Sequence, residues 1–316
     1  VKIVSAALER IVELMTETAP MFRRQLERVT PLVAAAALLV AAGAAAAVTT
    51  PPFAHLLTGP ALSTATTPFV PVATFNGRPV AWIARKTNGV TLLLFDQSSL
   101  TLHLHSGTGD AGAVGWRYGP AIDPTESGAV LAAFNGGFRF STGSGGFESY
   151  GRTAIAVRPG LGSVVTYTDG TTDIGAWGSE VPRPGLKVAS VRQNLPLLID
   201  HGRAAANTGC LICWGATLGG VIDPARSALG ITAGGRLIWA GGEHLTVAEL
   251  ASALLAAGAV RAVELDINPE WVNGYLYGHR GGKGPLAPVP VVLGQNGIPG
   301  AYLSPWSRDF FTVVVR

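Results

Sequence analysis

Two carboxylates stand two residues apart in Glu264-Leu265-Asp266, where the apolar run Val260–Leu265 ends. If that run is a strand, alternation puts Glu264 and Asp266 on one face, roughly 6.6 Å apart along the backbone, and turns Val263 and Leu265 into the core. Like charges so placed repel, which costs stability unless a cation or a substrate sits between them. A polar cluster at the end of a buried strand is where sites are commonly built. The plain alternative is a strand-end turn with solvated acids.

A second segment, Leu131-Ala132-Ala133-Phe134-Asn135-Gly136-Gly137-Phe138, runs from apolar residues into a polar amide and two glycines. The glycines allow a ligand close to the backbone or a positive φ, and the flanking aromatic rings offer faces on which a sugar can stack. Asn-Gly is equally a hairpin signal, and local physics does not choose between the two. In Arg226-Ser227-Ala228-Leu229-Gly230-Ile231-Thr232 an arginine opens an apolar strand. Its guanidinium suits bidentate binding of a phosphate or carboxylate, though a surface arginine at a strand end is the simpler reading.

The elements that must position these groups are mostly short strands. β-like runs extend from Val80–Arg85 to Thr312–Val315, separated by Gly, Asn, Asp and Pro clusters. One helix is well marked: Thr246 and Glu249 form a capping box, Leu250, Leu254 and Leu255 make the apolar stripe, and Gly258 suits the C′ position. The expected fold class is α+β: a single mixed, β-sheet-rich domain with a few packed helices, over residues 72–316.

Taken in order, the runs at 132–138, 226–232 and 262–266, with the helix Thr246–Ala257 between the last two, resemble the phosphodiester glycosidase family. The stretch Trp214–Gly220 also looks like bacterial members. The resemblance covers roughly residues 72–316. It implies hydrolysis of a sugar joined through its anomeric carbon to a phosphodiester. By position it makes Asn135 a substrate-binding residue, Arg226 the phosphate's counter-charge and Asp266 the acid/base or nucleophile. Glu264 is the partner carboxylate by spacing alone. Gly136, Gly137, Phe138, Asn268, Trp271 and Trp214 complete the candidate substrate contacts. Ile267-Asn268-Pro269-Glu270 departs from the family pattern of glycines and a serine after the aspartate, so the cavity beyond Asp266 must differ. Strand spacing does not reveal a retaining or inverting outcome.

Other signals point away from metals and cofactors. Cys210 and Cys213 are the only cysteines; they supply two of the four ligands of a structural zinc site, and outside the cytoplasm they are expected as a disulfide. His103 and His105 share a strand face, half a metal site at most and more simply a solvated face. Gly107–Gly112 matches a dinucleotide fingerprint, but Gly115, Gly119 and Pro120 preclude the helix that must follow. No cofactor is expected, and no G-x-S-x-G elbow or phosphate-binding P-loop is present.

Charge and hydropathy bound the partners. Beyond Gly77 the chain has 18 Lys/Arg and 16 Asp/Glu without a like-charged run, so a nucleic-acid groove lacks support. Val29–Gly77 has no Asp, Glu, Lys or Arg, and Leu32–Val48 is a 17-residue apolar run preceded by Arg23, Arg24 and Arg28. Segment 31–48 is therefore expected to be a transmembrane helix or signal peptide, with 1–30 cytoplasmic, 49–71 a Pro/Thr-rich linker and the domain outside the cytoplasm. Cleavage after Ala47 would secrete the domain. The amphipathic spacing of residues 3–15 favours a retained anchor. The chain opens on Val1, and a start at Met21 would make Met21–Ala47 an ordinary signal peptide.

Overall fold

The computed structural model describes residues 68–210, 212–215, 220–279 and 284–316. The expected cytoplasmic segment, the apolar helix and the linker up to residue 67 lie outside these residues. Among the described residues no helix is long and apolar enough to cross a membrane. Contacts divide the chain into Val1–Thr49 and Thr50–Arg316, and everything described belongs to the second unit.

The first strands are β1 (Val70–Phe75), β2 (Arg78–Arg85), β3 (Thr91–Phe95), β4 (Leu100–His105), β5 (Val130–Asn135) and β6 (Phe147–Ser149). Next come β7 (Arg152–Ile155), β8 (Gly162–Tyr167), β9 (Thr172–Ala176), β10 (Val188–Gln193), β11 (Ile199–Asp200) and β12 (Arg203–Ala204). Then follow β13 (Arg226–Thr232), β14 (Leu237–Gly242), helix α1 (Val247–Ala256), β15 (Ala259–Glu264), β16 (Gly274–His279), β17 (Leu286–Pro290) and β18 (Phe310–Val315).

These form three sheets: an eight-stranded one in the order β1-β2-β3-β14-β13-β15-β11-β12, and two five-stranded ones, β7-β6-β10-β8-β9 and β17-β16-β5-β18-β4. Every pairing between named strands is antiparallel. This corrects the expectation of a mixed sheet with a few helices. The domain is mostly β, with one α-helix among the described residues. Most strands are joined by short glycine and proline turns, and α1 alone, among the described residues, serves as a crossover helix, carrying the chain from β14 over to β15 on the other side of β13. The linker expectation also ended too late, since Val70 and Pro71 already pair with Ile83 and Trp82.

α1 forms where the sequence places it. Thr246 accepts from the Glu249 amide at 3.2 Å, and the Glu249 carboxylate accepts from the Thr246 amide at 2.9 Å. Gly258, at φ +91°, ends the turn in a conformation that costs glycine little. Leu250 and Leu254 bury one face of α1 against Ala228, Ala240 and Ala262.

The opposite face of the large sheet carries Leu229, Trp239, Val263 and Leu265, packed with Phe134, Phe311 and Val313 of the β5–β18 sheet. Neighbouring residues of one strand therefore face different layers. In β13, Ser227 shares the alternation of Leu229 while Arg226 shares that of Ala228. Glu264, paired across from Ala228, belongs to the α1 side. This alternation decides which site residues meet.

Candidate functional site

The polar centre lies where β5, β13, β15 and β18 end together. Ser227 ties two of the expected residues: its Oγ accepts from Asn135 Nδ2 at 2.9 Å and from the Asp266 amide at 3.3 Å. The Ser227 amide bonds the Asp266 carbonyl at 2.9 Å, extending the β13–β15 ladder beyond Glu264. Asn135, Arg226, Glu264 and Asp266 are thus neighbours, at 4%, 2%, 0% and 2% exposure. All four are buried.

They do not act as one group. Arg226 Nη1 donates to Glu264 Oε1 at 2.6 Å and to the Trp214 carbonyl at 3.1 Å, and Nε donates to the Leu245 carbonyl at 2.8 Å. The expectation that Arg226 faces a phosphate is corrected: its guanidinium is enclosed and serves as counter-ion to Glu264 on the α1 side. Glu264 is likewise not a free second carboxylate. Burial pushes its carboxyl up, against the pull of Arg226, and Asp266 adds to the rise.

Asp266 lies just past the strand end and has a different arginine. Its Oδ1 accepts from the amides of Ile267 at 2.7 Å and Asn268 at 2.9 Å, while Oδ2 lies 3.9 Å from Arg308 Nη2. Burial lifts this carboxyl to about 7. The Asn268 amide and Arg308 oppose that rise, and Asp309 adds to it. A carboxyl poised near neutrality can give and take protons at ambient pH.

Arg308 holds the Gly137 carbonyl through Nη2 at 2.9 Å and pairs with Asp110 through Nη1. Its Nε is buried with no partner among the described residues, as is Asn135 Oδ1. The guanidinia of Arg308 and exposed Arg139 lie 4.6 and 4.5 Å from the Trp271 ring. Trp271 and Asn268 are both half-buried, so they stand between this interior and solvent.

The glycine turn proves to be scaffold. Gly136 N and Gly137 N donate to Asp309 O and Oδ2 at 2.9 and 3.1 Å, and Phe138 N donates to Asn194 Oδ1 at 3.1 Å. Arg192 donates to Asp309 Oδ2 at 2.7 Å and to the Phe138 carbonyl at 2.5 Å. A Cβ on Gly136 would collide with the Asp309 carboxylate, and one on Gly137 would lie 2.6 Å from Arg192 Cζ and 2.7 Å from Asn194 Oδ1. The close approach that glycine permits here is to these side chains, so the reading of Gly136 and Gly137 as ligand contacts is corrected. Phe138 and Trp214 are buried; the Trp214 indole donates to the Asn207 carbonyl at 3.1 Å.

Sequence reasoning missed Arg192, Asn194, Ser227, Arg308 and Asp309 as site residues. Arg308-Asp309 had a usable signal, two opposite charges directly before the apolar run of β18. Arg192 lies within β10 and Asn194 directly follows it, and that strand has no clear apolar pattern.

Cys210 and Cys213 are disulfide-bonded, with Cα atoms 5.4 Å apart. His103 and His105 are not a solvated face: His103 Nδ1 lies 2.6 Å from Glu126 Oε1, and buried His105 Nε2 lies 3.4 Å from Glu126 Oε2. Among the described residues, Glu180, Asp200 and His201 bring three metal-type ligand atoms within 4.8 Å of one another. Glu180 is already held by Arg261 at 2.7 Å and by the Ala176 amide at 2.9 Å, as in a surface ion-pair cluster.

No family model matches the chain, and no curated protein matches it in sequence. Among solved structures it is similar to the zebrafish N-acetylglucosamine-1-phosphodiester alpha-N-acetylglucosaminidase catalytic domain auto-inhibited by its pro-peptide. The identity is 16% and the TM-score 0.48, over 85% of this chain and 92% of that one. It is also similar to a hypothetical protein from Synechocystis, with 16% identity and a TM-score of 0.40 over 79% of this chain and 61% of that one. At such values neither likeness bears on what the site does.

Proposed function

We propose that the domain is an extracytoplasmic hydrolase that cleaves a glycosidic bond in a sugar phosphodiester or related cell-envelope glycoside. The observation that carries this reading is Asp266: one oxygen clamped by two backbone amides, the other free beside Arg308, and a carboxyl lifted to about 7. Glycosidic cleavage passes through an oxocarbenium-like state and, for a leaving oxygen more basic than that of a phosphodiester, needs a proton on that oxygen. Protonated Asp266 supplies it. Arg308 and Arg139 balance the charge of a phosphate leaving group, Trp271 offers a ring face to the sugar, and Asn135 Oδ1 accepts from a hydroxyl. Water then adds its hydroxide to the anomeric carbon and returns a proton to Asp266. The basic segment and apolar run before the domain support a location outside the cytoplasm, with a membrane anchor or secretion after cleavage near Ala47.

A second reading is a non-catalytic carbohydrate-binding or envelope-organising domain on the same fold. It is favoured by the enclosure of Asp266, which is 2% exposed. Incubating the full chain with sugar-1-phosphodiesters and aryl glycosides separates the two. Release of either leaving group, lost in Asp266→Asn, supports the hydrolase. Saturable sugar binding without release from any substrate supports the binding domain.

A further inference from the structure

The Gly107-Thr108-Gly109-Asp110 run has a use unrelated to a dinucleotide: it lays the chain after β4 against the backbone just before β18. Thr108 N donates to the Trp306 carbonyl at 2.8 Å and Gly109 N to the Ser307 carbonyl at 2.9 Å. Glycine makes so close a contact possible. A Cβ on Gly107, at φ +69°, would lie 2.5 Å from the Arg308 carbonyl carbon, and one on Gly109 would lie 2.8 Å from the Ser307 oxygen. The turn delivers the Asp110 carboxylate to Arg308, whose Nη1 donates to Asp110 Oδ2.

That bond limits where the guanidinium can go. With Nη1 on Asp110 and Nη2 on the Gly137 carbonyl at 2.9 Å, the planar fork is fixed at two points. Nη2 then stands 3.9 Å from Asp266 Oδ2, too far for a hydrogen bond. An arginine released from Asp110 is free to close that gap, and a full ion pair would hold Asp266 ionised. The other charges around Asp266 are balanced in pairs. Asp309 is paired with Arg192 at 2.7 Å, and Glu264 with Arg226 at 2.6 Å. Buried Tyr302 keeps its proton, because burial raises its phenol well above 10. Arg139 and Glu270 are exposed to solvent. Asp110 is therefore the group that decides how strongly Arg308 acts on Asp266.

We propose that Asp110 is a positioning residue of the site: it holds the Arg308 guanidinium off Asp266, so that this carboxyl stays free to take up and release the reacting proton. The role rests on the hydrolase reading for its consequence in catalysis, but the hold on Arg308 is open to test without substrate. The rival role is a plain loop anchor, which predicts lost stability in an Asp110 variant and no change in the titration of Asp266.

Carboxyl carbon resonances of the full chain, labelled at aspartate, follow that titration, with Asp266 assigned by its loss in Asp266→Asn. The parent midpoint lies at about 7. Asp110→Asn keeps the size of the side chain and removes its charge, so the midpoint should move down by about one pH unit. The pH at which kcat/KM falls should move with it. A midpoint that stays in place or rises in Asp110→Asn overturns the proposal, whatever happens to stability. Should that variant not fold, Gly109→Ala decides by the same criterion, because its methyl lifts the turn off Ser307 and draws Asp110 away from Arg308. A midpoint that moves in a chain that cleaves nothing keeps the hold of Asp110 and sinks the hydrolase reading. Cleavage with a pH profile indifferent to Asp110→Asn does the reverse.

Discussion

Arg226 and Glu264 form an ion pair closed off from solvent, Nη1 to Oε1 at 2.6 Å, on the α1 side of the large sheet. Removing one partner leaves the other charge buried and uncompensated. Arg226→Met should therefore cost about 3–5 kcal/mol in urea unfolding, and the double change Arg226→Met, Glu264→Leu should recover most of it. An arginine that instead served a ligand would leave stability nearly unchanged when removed.

The raised carboxyl of Asp266 makes stability depend on pH in a definite direction. Folded Asp266 keeps its proton up to about 7, whereas it releases it in the ordinary carboxylate range when unfolded. The folded chain binds more protons across that window, so stability falls as pH rises through it, by at most about 1.4 kcal/mol per pH unit for each proton. Urea midpoints measured from about pH 4 to 7 should decline, and Asp266→Asn should flatten the slope. A midpoint that rises with pH there would contradict this assignment.

Glu126 works in the opposite sense. Burial pushes its carboxyl up, but hydrogen bonds from His103, His105 and Thr312 outweigh burial and hold it well below its ordinary value of 4.5. Its contribution is present above that value and is lost as pH falls below it. Glu126→Gln should cost about 1.5–3 kcal/mol near neutrality and should make the acid side of the stability curve shallower than in the parent chain.

Much of the fold could be read from residue order. The Thr246–Glu249 box and Gly258 marked α1 because capping is local, and the runs that became β3, β4, β13 and β18 carry dense β-branched and aliphatic residues. Strands such as β10 and β16 escaped notice. Val-Ala-Ser-Val-Arg-Gln and Gly-Tyr-Leu-Tyr-Gly-His hide their pattern because polar and glycine positions are buried against other sheets. The site was legible in part. Asn135 and Asp266 meet through Ser227, but spacing within one strand could not show that Glu264 would find Arg226 while Asp266 turned to Arg308, 42 positions further on. Partner choice between sheets is set by which strand ends converge, a non-local property.

The glycine turn offers a further check. Gly137→Ala places a methyl 2.6 Å from Arg192 Cζ and 2.7 Å from Asn194 Oδ1, both fixed by hydrogen bonds of their own. Overpacking of this kind costs about 1–3 kcal/mol, and thermal unfolding should show that loss. A neutral substitution would mean that the turn is looser than the Arg192–Asp309 pair implies.

The most direct measurement is the pH dependence of kcat/KM for glycoside release by the full chain and by Asp266→Asn. A general acid must be protonated to act, so activity should fall as pH rises through about 7, the range to which burial lifts Asp266. The asparagine variant should lose about 10²–10⁴-fold while still binding sugar. Release that survives Asp266→Asn within a few-fold, with the same pH profile, would contradict the assignment of Asp266 as the reacting acid.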